Sequence, residues 1–509
     1  MSTTALVLFT CFGFAAETAA PTEYRAGIES IATRELRSWL EFLASAELEG
    51  RDSGSRGYDT ASRFIASMLA AMGVEPGAAD GSFWQRFTLV TQERDSKAAA
   101  LSMRVEGADP TTISLEGKVA VAASGAIDWK ARWVFAGFGA GAAEDARDEF
   151  HGLAVAESVV LVVPRNANVE DGTLGARAAG ARRIVVVSDR HARRGAGMRR
   201  RVALAHILEA ETARAAGVEV VWISEEVADA ILRSRSLSVS ALRSSPETSR
   251  SFVFDDAEIT LSVPIERSES ATQNVVGRIP GSDPVLRDDA VVIGAHLDHV
   301  GRERDKIFFG ADDDASGCVA TLAAAKAFCA NGRRPKRSVI VVFFGAEEKG
   351  LHGSRYYVDH PTVPLDRVAA MFNLDMVGRD EEREPRKDGE GKIVEEGESA
   401  ADNVNSLHVV GSKRTSLEFD PWIQRINAAV GFDLEYDEDR VWRRSDQYNF
   451  AAHGVPVAFF FAGFHRDYHQ PTDTVEKINW DKLERVTKLV YALAFEVADR
   501  TERLRRNRL

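Results

Sequence analysis

The sequence predicts an α/β fold: a mostly parallel central sheet flanked by helices, with a β-rich module inserted into the first half of the chain. Three features point to it. After Asn274 the chain repeats strand, loop and helix, with short continuous apolar runs at 290–295, 338–344, 368–374, 407–410 and 455–461. Unbroken runs of this length are expected of strands covered on both faces. Before residue 100 the apolar spacing is helical, and between 100 and 265 it gives way to short β-rich runs. A chain of 509 residues has room for about two to four domains.

In chain order, residues 1–20 (MSTTALVLFTCFGFAAETAA) carry an apolar run at 5–16 followed by small residues. This reads as a secretory signal peptide, although no Lys or Arg precedes the run. It implies a secreted, periplasmic or cell-surface protein. The Leu8-Phe9-Thr10-Cys11 stretch has only the outline of a lipoprotein cleavage box. The segment is too short to span a bilayer as a helix. No other run approaches 18 uninterrupted apolar residues, so stable membrane insertion is not expected. Residues 28–99 form the first part of the main domain. Leu36, Leu40 and Leu43 share one helical face, and Phe64, Ile65, Met68 and Leu69 share another; the Gly/Ser-rich loop LEGRDSGSRG separates them. The module at 100–265 has β-rich runs at 118–122, 133–136, 158–163, 184–187 and 218–223 and a helix-like stretch at 173–181. The rest of the main domain occupies 270–500, interrupted at 380–402 by a charged, aperiodic segment read as a long mobile loop. No internal repeat is visible.

Composition narrows the function. Lys+Arg 64 against Asp+Glu 77 leaves a net charge of −13, which disfavours nucleic acid as a partner because phosphate contacts need clustered positive charge. Apolar residues make up 45%, enough for a full core and too many for a disordered chain. Three cysteines make no disulfide framework. Cys318 and Cys329 fall on one expected helix, about 16 Å apart, too far for a bridge.

Five motifs stand at or just after the ends of the later apolar runs: Gly294-Ala295-His296-Leu297-Asp298-His299, Gly310-Ala311-Asp312-Asp313-Asp314-Ala315-Ser316-Gly317, Phe344-Gly345-Ala346-Glu347-Glu348, Asn373-Leu374-Asp375-Met376 and Tyr468-His469-Gln470-Pro471-Thr472-Asp473. In an open α/β sheet, ligands bind outside the carboxyl ends of the strands. The placement brings two imidazoles and three carboxylates to one crevice, a donor set suited to zinc, with manganese or cobalt as stand-ins. That set is too large for one tetrahedral zinc. It fits two Zn2+ ions about 3.5–4 Å apart that share a carboxylate.

On these motifs the chain resembles the secreted di-zinc aminopeptidases, relatives of glutamate carboxypeptidase, over roughly residues 30–95 and 270–500. The resemblance implies the zinc exopeptidase fold and an enzyme that removes N-terminal residues from peptides bearing a free amine. It implies that His296 and Asp375 bind one zinc, Glu348 and His469 the other, and that Asp313, the middle residue of its triplet, bridges them. The family often has a cis peptide after this Asp. In the family pattern Glu347 is the general base, taking a proton from the attacking water and passing it to the leaving amine. The hydroxyl of Tyr468 would help to hold the oxyanion. Asp298, two residues after His296, is placed to accept the free ring N–H of a ligand histidine. His299 fits the family pattern without a clear chemical task, and Asp314 reads as an N-cap or structural partner.

The module also carries a resemblance. Val134-Phe135-Ala136-Gly137-Phe138-Gly139, Asp148-Glu149-Phe150, Gly152-Leu153 and Val159-Val160-Leu161-Val162 are similar to the protease-associated domain inserted in several such peptidases, which is non-catalytic. Its arginine-rich stretch at 190–201 reads as a solvated loop. His151, His191 and His206 fall in this module, away from the motifs; His352, His360, His408, His453 and His465 read as structural or exposed. Ser445-Asp446-Gln447-Tyr448 resembles a pocket-lining loop.

Three alternatives stay open. A carboxypeptidase of the glutamate carboxypeptidase type would use Arg379, Arg443 or Arg444 against a substrate carboxylate. A glutaminyl-cyclase-like transferase would use one zinc and lack the inserted module. A receptor-like peptidase fold would have lost its chemistry. Oligomeric state and preferred side chain are not encoded in any motif. Ten acids against four basic residues in Asp380–Asp402 favour an ammonium at the rim over a carboxylate.

Overall fold

The computed structural model describes residues 23–95, 97–121, 126–140, 149–165, 169–195, 199–203, 217–248, 250–387, 393–436 and 439–507. The expected signal peptide at 1–20 and Cys11 lie outside the described residues. The chain divides into two compact units, one comprising Met1–Arg86 and Thr272–Leu509 and the other Phe87–Ala271.

The larger unit opens with three helices, α1 (Arg25–Glu29), α2 (Thr33–Leu43) and α3 (Arg56–Ala71). The Ser55 hydroxyl caps α3 by accepting the Tyr58 N–H. Its sheet contains β1 (Ile265–Ile279, from Thr272 onward in this unit), β2 (Ala290–His296), β3 (Ser338–Phe344), β4 (Val368–Leu374), β5 (Ser406–Val410), β6 (Asp433–Glu435) and β7 (Val457–Phe461). The spatial order is β1-β3-β2-β4-β7-β5-β6. The central four, β3, β2, β4 and β7, are parallel. All residues of these four strands are buried, because both faces are covered. Val291 and Ile293 pack into one core with helix α4 (Gly317–Ala330) and helix α5 (Trp480–Asp499). Val292, Met371 and Phe459 pack on the other face with Tyr357 and Phe450. Alternation of period two along β2 divides the residues between the two faces.

Parallel pairing puts four carboxyl ends at one edge. His296 ends β2, Phe344 ends β3 three residues before Glu347, Leu374 ends β4 just before Asp375, and Phe461 ends β7 on the way to His469.

Two expectations change. The run at 407–410 is a strand but runs antiparallel to β7, since an isolated apolar run carries no direction. The 380–402 segment is not featureless: Arg386–Lys387 pairs with Ile393–Glu395, and Arg383 bridges Glu398. Several of its acids are committed to ion pairs, Asp380 with Lys482, Glu381 with Arg383 and Glu382 with Arg466.

The smaller unit has a mixed six-stranded sheet, ordered Phe252–Val253, Trp133–Phe135, Val159–Val162, Arg183–Val187, Glu219–Ile223 and Val119–Val121, and a four-stranded sheet. Trp129, Trp133, Phe135, Leu161 and Leu261 belong to its own core. It begins at Phe87 and ends at Ala271, wider than 100–265, because its flanking strands Trp84–Arg94 and Ile265–Ile279 carry polar residues that masked them. The arginine-rich stretch falls on a helix (Asp189–Gly195) and a strand (Arg199–Ala203); residues 196–198 lie outside the described residues.

Candidate metal centre

The edge of the sheet gathers the five expected ligands. His296 Nε2 lies 3.2 Å from Asp313 Oδ1 and 3.5 Å from Asp375 Oδ1. His469 Nε2 lies 3.1 Å from Asp313 Oδ2 and 3.1 Å from Glu348 Oε2. Asp313 thus turns one oxygen to each imidazole. Donors about 2.0–2.2 Å from a tetrahedral cation stand about 3.3–3.6 Å from one another, close to these spacings. Asp313 Oδ2 and Glu348 Oε1 are buried and accept no well-directed hydrogen bond among the described residues, as expected of atoms built for a cation. In donor types and spacing the set fits two cations sharing one carboxylate.

The surrounding backbone is held by buried polar groups. Asp473, fully buried, accepts the N–H groups of Asp312 and Asp313. Asp314 accepts the N–H groups of His296, Gly317 and Met376, which ties the ends of β2 and β4 to the start of α4. The Asp313–Asp314 peptide is cis. Ala346, Met376 and His469 have φ of 58°, 56° and 53°, a region costly for residues with a Cβ and often found at functional sites.

The LEGRDSGSRG loop contributes a clamp that its composition did not reveal. Arg51 is fully buried and donates to the carbonyls of Leu297 (2.9 Å), Phe309 (2.8 Å), Gly310 (2.9 Å) and Leu43. Its own carbonyl accepts the His299 N–H at 3.2 Å, and the Ser53 hydroxyl accepts the Ala346 N–H at 2.7 Å. One loop therefore bonds the segments carrying His296, His299, Asp313 and Glu347. Glycine and serine suggested only a linker; an isolated Arg gives no sign that carbonyls will surround it.

Glu347 faces the cleft, with Oε2 4.0 Å from His296 Nε2. Burial pushes its carboxyl well above the usual range, with further upward pressure from Glu348 and Asp375. Although burial acts upward on Glu348, the adjoining His299 and His469 imidazoles hold its carboxyl down at about 2. Burial raises Asp298 to about 6.

The cleft is also lined by Met376, Val441, Arg444, Ser445, Phe459, Phe461, Phe464 and Tyr468. The Tyr468 ring stacks on His469 at 4.0 Å, and its hydroxyl accepts a hydrogen bond from Arg444 Nη2 at 3.0 Å. Ser445 accepts from Asn373 Nδ2 at 2.8 Å.

Some roles differ from expectation. The Asp298 carboxylate does not meet the His296 ring. His296 Nδ1 is 3.0 Å from the Asp298 carbonyl oxygen, while the carboxylate accepts the Glu347 N–H; a side chain two residues along a strand end points across to the neighbouring loop. His299, which had no assigned task, lies inside the cluster with Nδ1 2.9 Å from Glu348 Oε1. Arg379 is committed to Asp467, and the Arg443 guanidinium lies over the Tyr448 ring. His465 is buried against Asp312, and His408 against Glu381.

Residues 274–494 match Peptidase family M28. The chain is similar to leupeptin-inactivating enzyme 1 of Streptomyces exfoliatus, 26% identical over 262 residues, 47% of this chain and 52% of that protein. It is also similar to aminopeptidase YwaD of Bacillus subtilis (strain 168), 29% identical over 244 residues, 46% of this chain and 47% of that protein. The chain spans about half the length of these relatives. An aminopeptidase structure from Aneurinibacillus sp. strain AM-1 aligns with 95% of this chain and 98% of its own, with a TM-score of 0.54 and 20% identity; the two share a fold. No helix among the described residues is long and apolar enough to cross a membrane.

Replacing Arg51 by Met removes a donor from four carbonyls, of which Gly310 keeps the Ala315 N–H, and the other three are left unsatisfied at about 1–3 kcal/mol each. The expected loss is at least about 3 kcal/mol, read as a lower denaturant midpoint. An unchanged midpoint would show that the clamp is not needed.

Proposed function

We propose that this protein is a secreted aminopeptidase that hydrolyses the N-terminal bond of peptides at a centre holding two zinc ions. The observation that carries the reading is the divided carboxylate of Asp313, with Oδ1 3.2 Å from His296 Nε2 and Oδ2 3.1 Å from His469 Nε2. His296 and Asp375 would hold one cation, Glu348 and His469 the other. When bound, such a pair lowers the pKa of water to near neutrality and polarises a carbonyl.

The chain's own residues supply the rest. Glu347, whose carboxyl is pushed upward, accepts a proton from the attacking water at a carboxylate oxygen and returns it to the leaving amine. Tyr468, its hydroxyl held by Arg444, donates to the carbonyl oxygen as that oxygen gains charge. Phe459, Phe461, Phe464 and Met376 offer apolar walls to the first side chain and shed water from the cleft. Glu347 and Asp375 face the substrate with carboxylates, a setting that favours an ammonium. Of the three candidate arginines, only Arg444 lines the cleft, and one of its N–H groups is engaged by the Tyr468 hydroxyl. This supports an aminopeptidase over a carboxypeptidase acting on acidic termini. The proposal includes export directed by residues 1–20 and a protease-associated, non-catalytic role for the smaller unit, each resting on the sequence motifs.

Glu347→Gln is expected to retain about two equivalents of zinc after dialysis while turnover falls by roughly 10²–10⁴-fold. Retained turnover would remove Glu347 from the chemistry. Acetylation of the substrate amine removes its charge and adds bulk where the cleft ends. Acetylated peptides are expected to be cleaved at least about 10²-fold more slowly, about 2.7 kcal/mol in transition-state binding. Equal rates on free and acetylated peptides would rule out the aminopeptidase reading.

A further inference from the structure

We infer that His299 is a fourth protein donor to the cation on the His469 side, so that the two halves of the centre are unequal. The inference rests on the proposed metal centre and goes beyond its five ligands. His299 is fully buried. Its Nδ1 is 2.9 Å from Glu348 Oε1 and 3.7 Å from Asp313 Oδ2. Despite these distances, neither ring nitrogen makes a well-directed hydrogen bond among the described residues, and neither Glu348 Oε1 nor Asp313 Oδ2 receives one. Buried polar atoms converge here without a hydrogen aimed between them. A cation at their common focus satisfies them together. The donor atoms of His299, Asp313, Glu348 and His469 all lie within 4.8 Å of one another.

The ring is held in place from several sides. The His299 N–H is anchored on the Arg51 carbonyl. Gly310 has φ of 58°, and a Cβ there would sit 2.6 Å from His299 Cγ, so residue 310 must be glycine for the ring to occupy this position. The ring meets His469 edge-on at 5.6 Å.

On the other side of the centre, Asp314 lies near His296 and Asp375, but its oxygens are taken by the N–H groups of His296, Gly317 and Met376. That side therefore has three protein donors, His296, Asp375 and Asp313. Four protein donors make a closed, structural type of zinc site, and three leave a position for water or substrate. The His469 side is filled first and holds its zinc more tightly; the His296 side exchanges and carries the open position.

Two measurements test this on the full-length chain. In a crystal structure of the zinc-loaded protein, His299 Nδ1 is expected about 2.0–2.1 Å from a zinc also bound by His469. A chelator-competition titration is expected to show two affinity classes in the wild type. In His299→Ala the tighter class should weaken by more than the roughly 10–100-fold lost with a hydrogen-bonding partner of a ligand. A zinc beside His469 with Nδ1 beyond 3 Å, or an unchanged tight class in His299→Ala, overturns the inference and leaves the two-zinc reading intact. A single zinc bound through His299 and His469 upholds the inference and overturns that reading.

Discussion

The arrangement depends on one carboxylate whose two oxygens face different partners. Asp313 can divide itself between His296 and His469 only if its backbone is fixed from outside the cluster, because an aspartate free to rotate would close on one imidazole. The fixing groups are themselves buried and charged. Asp473 takes the N–H groups of Asp312 and Asp313, and Asp314 ties β2, β4 and α4 together around them. Arg51 sets a cation within the field of Asp313, Asp314 and Asp473 and donates to the carbonyls of the same loops. The parallel sheet gives the ends of β2, β3, β4 and β7 a common edge, and the buried polar groups set the angstrom-scale positions along it.

Much of this was legible in the sequence, for physical reasons that differ by element. The strands Ser338–Phe344 and Val368–Leu374 coincide with their apolar runs, because a strand buried on both faces must be apolar throughout. The run at 407–410 gave the strand but not its direction, since hydrophobicity is the same read either way. The clustering of the five proposed ligands was legible because each motif follows such a run, where the sheet edge opens. Asp298 was placed correctly near the site but with the wrong partner: a spacing of two fixes proximity, and rotamer and loop path decide which atom meets which.

What remained illegible was the role of residues whose partners are backbone carbonyls or distant in sequence. Arg51 lies 246 residues from Leu297, and no local pattern announces that contact. His299 looked like a neighbour of the proposed ligands because its placement depends on the loop reaching back to Glu348. The charged segment at 380–402 looked mobile because charge usually means solvent; here Asp380, Glu381 and Glu382 each face a cation. That pairing also weakens the rim's excess of negative charge, so the proposed recognition of an amine rests on Glu347 and Asp375.

The central claim is that Asp313 belongs to both halves of the centre. Zinc binding to Asp313→Ala, followed by competition with a chelator and compared with Asp375→Ala, tests it most directly. The account predicts that both zinc equivalents weaken together in Asp313→Ala, whereas Asp375→Ala weakens one and spares the other. An Asp313→Ala protein that keeps one site at wild-type affinity would contradict it.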